Sequence, residues 1–304
     1  MGETATAQGL AEQLVRSRAL IPTGAQGVYG HGEDFSFAIE GLSRAINRLF
    51  GRQAERMRFP PVTPRADLER IGYFRNFPHL LGTVHCFCGD ERTHRDLVKT
   101  HDAGGDWTGA QAASDLVLTP ASCYPVYPAM AARGVVPEQG YTVQVQSHCF
   151  RREPSTDLAR MQSFQMHEFV RIGSPEQAWA FREEWTERGR DFFAALRLPA
   201  ELEAANDPFF GRAAGVMGQG QRQQQLKYEL KVAINDAAAT TACMSFNAHL
   251  DHFGKALELR TPDGEAAHTA CVGFGLERIA LALFRWHGVD PAAWPSDVFD
   301  LLDG

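Results

Sequence analysis

An aromatic residue and a carboxylate, Phe164 and Glu168, lie four residues apart in the stretch 141–172, which reads YTVQVQSHCFRREPSTDLARMQSFQMHEFVRI. Two runs in which apolar and polar residues alternate have the period of β-strands, and a charged, turn-forming segment joins them. Side chains two residues apart share a face of a sheet, so Phe164 and Glu168 are expected to point the same way. A carboxylate in such an apolar row is unfavourable unless it meets a cation or a metal ion. The stretch therefore predicts a hairpin with a functional carboxylate, although an edge hairpin with a solvated face fits the pattern equally well.

A second segment whose residues could bind a ligand, ACVGFGLER, occupies residues 270–278 and is followed by IALALF. Its apolar residues have the spacing of one helix face, which predicts a helix that buries them: Leu276, Ile279, Ala280, Leu283 and Phe284. Arg278 lies off this face, in the first turn. Gly273 and Gly275 allow a nucleotide to approach the backbone closely. The segment thus predicts a strand-to-helix turn at a nucleotide site, with an ordinary tight turn as the alternative.

Both segments resemble signature motifs of the class II aminoacyl-tRNA synthetases. The hairpin resembles motif 2, and most closely that of seryl-tRNA synthetase, in the residues Phe150, Arg151, Glu153, Arg160, Phe164 and Glu168. The GxGxER of residues 273–278 resembles motif 3. An amphipathic helix at 35–50, a strand at 55–59 and the following Pro60-Pro61 resemble motif 1, which builds the homodimer interface in that class.

This resemblance implies an α+β fold in which an antiparallel sheet of the class II synthetase type is flanked by helices. It covers residues 1–304 as one catalytic domain. Within this domain, residues 174–226 have a helical pattern that starts with Ser174 as a cap and Pro175 in the first turn. We therefore expect a mostly helical insertion at 174–226.

The resemblance also implies how ATP is held, since the sequence has no phosphate-binding loop. Arg151 would contact the α-phosphate and the attacking carboxylate, and Arg278 would contact the γ-phosphate; both would be catalytic. Glu153 would read the adenine edge and Phe164 would stack on the ring, while Arg160 belongs to the same ATP-binding set. A fixed guanidinium beside the α-phosphorus would stabilise the charge that builds up in the transition state.

Magnesium would accompany ATP and neutralise the pyrophosphate leaving group. Seryl-tRNA synthetases carry a magnesium-binding glutamate just before the strand at 243–247. Thr240-Thr241-Ala242 occupies that place in this chain, so the resemblance assigns no magnesium ligand.

A narrower resemblance implies a zinc site. Atypical, archaeal-type seryl-tRNA synthetases bind zinc through a cysteine, a glutamate and a cysteine, and Cys123, Glu168 and Cys271 match these positions. Such a site keeps one coordination position open, which the substrate's amino group takes, so that Glu168 also belongs to the amino-acid site. Without the resemblance, these residues would be core thiols and a salt bridge. Three histidines are competing ligands that would more simply serve as hydrogen-bonding residues: His167, His249 and His252.

The acceptor of the activated amino acid is indicated by the stretches TPASCYP, SHCFRRE, FQMHEFVRIG and AHTACVGFGLER. They resemble the amino acid:[carrier protein] ligases, truncated relatives of the atypical seryl enzymes. That family activates glycine or alanine with ATP and passes it to the phosphopantetheine thiol of a small acidic carrier protein, releasing AMP and pyrophosphate. No tRNA partner is expected, because no tRNA-binding arm fits before residue 35. Two alternatives stay open: a seryl-tRNA synthetase-like enzyme that charges tRNA with a separate arm or partner, and a non-catalytic paralogue that binds an amino acid or nucleotide for regulation.

The carrier protein is expected to dock on basic residues of or near the insertion, although a solvated helix face with paired charges fits some of them equally well. The candidates are Arg182, Arg188, Arg190, Arg197, Arg212, Arg222, Lys227 and Lys231.

The amino-acid composition restricts the class of protein, its partners and its location. The 304 residues are 44% hydrophobic and 22% charged, as in ordinary globular proteins. A net charge of −7 argues against broad affinity for nucleic-acid phosphates. The sequence has no apolar run long enough for a membrane span and no signal-peptide core, and its six cysteines have no regular spacing. These features favour a cytoplasmic protein with individually placed thiols.

Overall fold

A computed structural model describes residues 7–212, 214–236 and 239–304 of the chain. Its strands are β1 (Leu20–Pro22), β2 (Tyr29–His31), β3 (Glu55–Met57), β4 (Val62–Pro64), β5 (Thr83–Phe87), β6 (Gln111–Leu118), β7 (Tyr141–Phe150), β8 (Ser163–Gly173), β9 (Glu201–Ala204), β10 (Lys227–Asp236), β11 (Ala239–Leu250) and β12 (His268–Gly275). Its α-helices are α1 (Ala7–Arg16), α2 (Glu33–Phe50), α3 (Arg65–Arg70), α4 (Tyr73–Asn76), α5 (Glu91–Asp102), α6 (Val126–Ala131), α7 (Pro175–Ala195), α8 (Ala214–Gln223), α9 (His252–Leu257), α10 (Leu276–His287) and α11 (Ser296–Asp303). Short 3-10 helices lie at Gly51–Gln53, Thr108–Ala110 and Pro291–Ala293.

A seven-stranded sheet organises the molecule, in the order β3-β7-β8-β12-β11-β10-β9. Every neighbouring pair in it is antiparallel except β3 and β7, which run parallel. The hairpin predicted from the alternating pattern is the β7–β8 pair, and it lies inside the sheet rather than at an edge. The predicted antiparallel sheet with flanking helices is therefore confirmed.

The two faces of this sheet carry different layers. Helices α7 and α10 pack on one face, and α2 packs on α10, around a core in which Phe169, Phe274 and Phe284 are fully buried. The other face meets α6, α9 and the small sheet β4-β6-β5, with Val143, Val170 and Cys271 facing this second core. Because strand side chains alternate between faces, Phe169 belongs to the first core, while its neighbour Glu168 points into the second.

Residues 174–226 contain α7, β9 and α8. Helix α7 begins with a capping box, in which the Ser174 hydroxyl accepts a hydrogen bond from the Gln177 backbone N–H at 3.3 Å. This confirms the cap inferred from the sequence. Helix α7 packs on strands β8, β11 and β12, and β9 pairs with the edge strand β10, so both are built into the main sheet layers. That this segment is an insertion in an otherwise shared domain stays a prediction.

Removing the Phe169 ring is expected to destabilise the protein strongly. Its ring lies 4.4 Å from that of Trp185 and 6.5 Å from that of Phe274, between centroids, with no solvent exposure. Phe169→Ala should lower the free energy of unfolding by about 3–5 kcal/mol, because it removes buried contacts and leaves a cavity. Urea unfolding measures this effect, with Phe87→Ala, whose side chain is 41% exposed, as the matched control. A loss no greater than that of the control would contradict this packing of the Phe169 ring.

Across the described ranges of the chain, no helix has both the length and the apolar character needed to cross a membrane.

Candidate active site and metal centre

Three potential metal ligands meet on the second face of the sheet. Cys123 lies in the loop between β6 and α6, Glu168 on β8 and Cys271 on β12. One ligand atom from each lies within 4.8 Å of the others, and within the described residues these three form the one such group of histidine, cysteine and acidic side chains. All three are buried, with 4%, 1% and 4% of their surface exposed, respectively. The structure thus brings together the three residues that the sequence comparison with synthetases had selected.

Strand register explains why two of these side chains meet. On the antiparallel strands β8 and β12, Glu168 lies opposite Gly273, and Cys271 lies opposite Val170. Glu168 and Cys271 are therefore diagonal neighbours on one face, within reach of each other. Gly273 leaves the space above the carboxylate open, because a Cβ there would lie 3.5 Å from the Glu168 Cγ and 2.9 Å from the Met166 Cε.

The three groups compete for protons in the absence of a cation. Burial, together with the Cys271 thiolate, raises the pKa of Glu168 to about 8. A hydrogen bond from the Cys123 thiol lowers the pKa of Cys271, and the same bond raises that of Cys123. Burying two thiolates and a carboxylate together without a cation would be strongly unfavourable. A divalent ion would compensate these charges, and this donor set with one position open is typical of zinc.

Arg151 follows directly after β7 and lies next to this group. Its Nε donates to the Pro120 carbonyl at 2.9 Å, in the loop that also carries Cys123. Its guanidinium carbon lies 5.4 Å from the centroid of the Phe164 ring, so these two predicted ATP-binding residues are in contact. The positive charge of Arg151 also opposes the upward shift of the Glu168 pKa, although burial dominates.

Arg278 is the second predicted phosphate ligand, and it connects three elements. From the first turn of α10, its Nε donates to the Ala159 carbonyl at 2.9 Å and its Nη1 to the Ala242 carbonyl at 3.0 Å. Burial lowers the pKa of Arg278, and the nearby positive charge of Arg151 lowers it further. Two guanidinium groups are thus held near each other, an arrangement that suits a polyphosphate.

The remaining predicted ATP-binding residues lie on the segment between β7 and β8. The Arg160 Nη1 lies 3.8 Å from a Glu153 carboxylate oxygen, and its Nε lies 3.3 Å from Asp157. Arg160 is exposed, so it is accessible to a ligand. That these residues bind ATP stays a prediction.

A half-buried charge near Arg151, the Asp207 carboxylate, was not predicted from the sequence. The Asp207 carboxylate accepts hydrogen bonds from the Lys227 Nζ at 2.6 Å and from the Gln221 Nε2 at 2.9 Å. Burial alone would raise the pKa of Asp207. The ion pair with Lys227 nevertheless holds this pKa below its ordinary value, and the positive charge of Arg151 lowers it further. The ring of the neighbouring Phe209 lies 5.3 Å from that of Phe77, between centroids, so residues 201–210 pack on the segment that contains Phe77. No local sequence pattern marks such a contact.

The competing histidines lie outside the group of three ligands in the described residues. His167 bonds to the Gln144 side chain at 2.6 Å, and burial lowers its pKa to about 3. His252 lies 3.1 Å from the Ile71 carbonyl. His249 is different, since its Nε2 lies 3.5 Å from the Cys271 sulfur.

A buried carboxylate adjoins Arg278 and should make stability depend on pH. Glu277 accepts a hydrogen bond from the Gln165 backbone N–H at 2.7 Å, and burial raises the pKa of Glu277 to about 7. Because the folded state holds this proton more tightly than the unfolded state, Glu277 stabilises the fold below its unfolded pKa. That contribution is lost as the pH rises toward 7.

Glu277→Gln removes this titrating group and should flatten the pH dependence. Between pH 4.5 and 8, the wild type should lose about 3 kcal/mol more unfolding free energy than the variant. Urea unfolding of both proteins at several pH values measures this difference. Parallel pH profiles for the two proteins would contradict the assignment.

Comparison with known proteins supplies the family. No family model matches the chain. Two curated proteins of Bradyrhizobium diazoefficiens are similar to this chain over most of their length. Amino acid–[acyl-carrier-protein] ligase 2 is 48% identical over 279 residues, which cover 92% of this chain and 84% of that protein. Amino acid–[acyl-carrier-protein] ligase 1 is 45% identical over 296 residues, which cover 96% of this chain and 88% of that protein. The chain belongs to this ligase family.

Solved structures agree with the fold of this ligase. The crystal structure of M. kandleri SerRS in complex with A. aeolicus tRNASec matches it with a TM-score of 0.82 at 21% identity. The match covers 100% of the ligase chain but 62% of the SerRS chain. It therefore shows the class II synthetase fold, as the sequence motifs predicted.

Most basic residues that were candidates for carrier docking have partners within this ligase. Ion pairs involve five of them: Arg188 with Glu184, Arg190 with Glu187, Arg197 with Asp297, Lys227 with Asp207, and Lys231 with Glu203. The Arg182 guanidinium donates to the Gln225 carbonyl. Arg212 and Arg222 have no ion pair within residues 7–212, 214–236 and 239–304. That the carrier protein docks on any of these residues stays a prediction.

Proposed function

We propose that this ligase uses ATP and magnesium to activate glycine or alanine and transfers the aminoacyl group to the phosphopantetheine thiol of an acidic carrier protein. In the first step, a carboxylate oxygen of the amino acid attacks the α-phosphorus of ATP, and the bond to pyrophosphate breaks. In the second, the carrier's sulfur attacks the carbonyl of the adenylate, AMP leaves and the thiol proton is released. The observation that carries the proposal is the convergence of Cys123, Glu168 and Cys271 beside Arg151.

The three ligand side chains hold zinc in this proposal. Zinc supplies a Lewis acid with one open position, which suits the amino group of the substrate. The three ligand side chains are only 1–4% exposed, and this burial supports a substrate with a very small side chain. Glu168 bounds the amino-acid pocket as well as binding the ion.

Arg151 and Arg278 hold the triphosphate. Arg151 lies nearer the metal group, so its guanidinium neutralises charge on the α-phosphate as the amino acid's carboxylate attacks. Arg278 contacts the γ-phosphate, which keeps pyrophosphate in line as the leaving group. Glu153, Arg160 and Phe164 bind the adenosine part, with Phe164 stacking on the adenine ring.

The carrier protein docks on α8 and the segment before it. Arg212 and Arg222, which have no ion pair within the described part of the chain, offer positive charge to an acidic partner, and Val216 and Phe210 are 76% and 57% exposed. Basic residues around apolar ones are typical of a surface that binds an acidic protein. The long helix α2 and strand β3, which resemble motif 1, support a homodimer. The six free cysteines support a reducing, cytoplasmic location.

An ATP–pyrophosphate exchange assay tests the first step. Glycine, alanine and serine are compared in a single preparation in which bound zinc is measured by atomic absorption. We expect exchange with glycine or alanine and about one zinc per chain. Exchange with serine alone would favour the seryl-tRNA synthetase-like alternative, and absence of exchange with every amino acid would favour the non-catalytic one.

Acceptor competition tests the second step. Radiolabelled amino acid is offered with a phosphopantetheinylated carrier protein, the same carrier without phosphopantetheine, and bulk tRNA. We expect label on the phosphopantetheinylated carrier, in a bond that hydroxylamine cleaves as it does thioesters. Label on tRNA instead, or equal label on both carrier forms, would overturn the proposed acceptor.

A further inference from the structure

His249 is the one competing histidine that reaches the metal group among the described residues. Its Nε2 lies 3.5 Å from the Cys271 sulfur, while its Nδ1 lies 3.0 Å from the Thr269 hydroxyl. Thr269 is fully buried on β12, two residues before Cys271, so both side chains face His249 from the same side of that strand. The imidazole therefore bridges a fixed hydroxyl and a metal-ligand sulfur.

The backbone at this point is irregular in a way that aims the ring. Strand β11 pairs regularly with β12 as far as Ala248, opposite Ala270, and then shifts register so that Leu250 lies opposite Thr269. His249 is the extra residue of this β-bulge. Leu250 has a φ of 52°, in the left-handed region that non-glycine residues seldom adopt. Bulges of this kind redirect one side chain and recur next to functional sites.

Aromatic contacts hold the ring in this orientation. Its centroid lies 4.9 Å from that of Phe253, at an angle of 84°, and 6.1 Å from that of Tyr127, at 86°. A hydroxyl that donates to Nδ1 fixes the tautomer, leaving the proton on Nε2, which faces the sulfur. The imidazole N–H is thus available to the Cys271 sulfur.

We propose that His249 is a positioning residue for the metal centre, whose Nε2–H donates a hydrogen bond to the Cys271 sulfur while Thr269 fixes the ring. This hydrogen bond directs the Cys271 sulfur to the point shared with Cys123 and Glu168. The inference rests on the zinc site proposed above and adds residues to it that do not touch the ion. Asn247, whose Nδ2 lies 3.4 Å from the same sulfur, is a second donor.

Metal affinity and the spectrum of cobalt-substituted protein test this role without an activity assay. Thiolate ligands give Co²⁺ a sulfur-to-metal charge-transfer band, so band energy and intensity report on Cys271 directly. Zinc affinity is measured by competition with a chromogenic chelator. Removing a hydrogen bond made to a metal-ligating side chain typically weakens metal binding about 10–100-fold.

The variants are His249→Ala, His249→Gln, Thr269→Val and Thr269→Ser. His249→Ala should weaken zinc binding about tenfold or more and shift the charge-transfer band, while still binding one ion at saturation. Thr269→Val, which keeps the volume and removes the hydroxyl, should weaken zinc binding less, and Thr269→Ser should restore it. His249→Gln can still donate an N–H and should recover part of the affinity.

His252→Ala is the matched control, since its ring lies 5.0 Å from Phe253 and its Nε2 faces a backbone carbonyl instead of sulfur. It should bind zinc within about twofold of the wild type. If the wild type shows no thiolate charge-transfer band, the zinc site itself fails. If the wild type shows the band but His249→Ala and Thr269→Val match the control, the zinc site stands and the positioning role is wrong. If His249→Ala binds no ion at saturation, His249 is a ligand, and the positioning role is likewise wrong.

Discussion

Cys271→Ala should abolish zinc binding and reduce amino-acid activation by at least about a thousandfold. The change leaves one thiol and one carboxylate, which are too few protein ligands for a catalytic zinc site. The substrate's amino group then loses its anchor, and the loss of a Lewis acid is expected to cost several kcal/mol of stabilisation, or about three orders of magnitude in rate. Zinc content and ATP–pyrophosphate exchange are measured on the same sample.

Two other cysteines serve as controls for this prediction. Cys243 is also buried, at 2% exposure, on the neighbouring strand β11, whereas Cys86 is exposed. Cys243→Ala and Cys86→Ala should both retain about one zinc per chain. Full activation by Cys271→Ala in the absence of bound zinc would refute the site. Loss of zinc in Cys243→Ala would instead show that general unfolding is being measured.

Arg151→Ala should lower the rate of adenylate formation by about a thousandfold while leaving zinc content unchanged. The guanidinium is held by Pro120 before any ligand arrives, so it is oriented for the charge that develops at the α-phosphate. Removing one preorganised donor of this kind typically reduces the rate about 10²–10³-fold. Single-turnover formation of the adenylate measures the step directly.

The adjacent Arg152 provides the matched control. Its side chain is exposed and its backbone N–H bonds to the Leu80 carbonyl at 3.0 Å, so Arg152→Ala removes the same charge one residue away. It should change the rate by less than about threefold, since surface charges contribute little. Similar losses in both variants would mean that overall charge, rather than the position of Arg151, determines the rate. A melting temperature for each variant separates either outcome from loss of folding.

The β7–β8 hairpin positions both a potential zinc ligand, Glu168, and a predicted ATP-binding residue, Arg151. Strand β8 carries Glu168 toward Cys123 and Cys271, and β7 ends at Phe150, directly before Arg151. The same strand β8 places Phe169 on the opposite face, in the aromatic core under α7. The position of Glu168 is therefore fixed by packing on the other side of the sheet, as the proposed role in a catalytic site would require.

Local patterns in the sequence determined much of the fold. Alternation over 141–172 specified two strands, and the apolar spacing after Gly275 specified α10, which begins at Leu276 as expected. Ser174 and Pro175 specified the start of α7. These features depend on residues a few positions apart, and the periods of strands and helices are set by the backbone itself. They therefore required no knowledge of tertiary contacts.

Only the tertiary structure decided which distant residues meet. The three potential zinc ligands are separated by 45 and 103 positions in the chain, and resemblance to known enzymes, rather than spacing, selected them. The bulge that turns His249 toward Cys271 follows from the pairing of β11 with β12. Likewise, the ion pair between Asp207 and Lys227 joins two segments that are 20 positions apart in the chain. Hydrogen bonds and ion pairs of this kind form between elements that approach only when the whole core packs, so no short stretch of sequence encodes them.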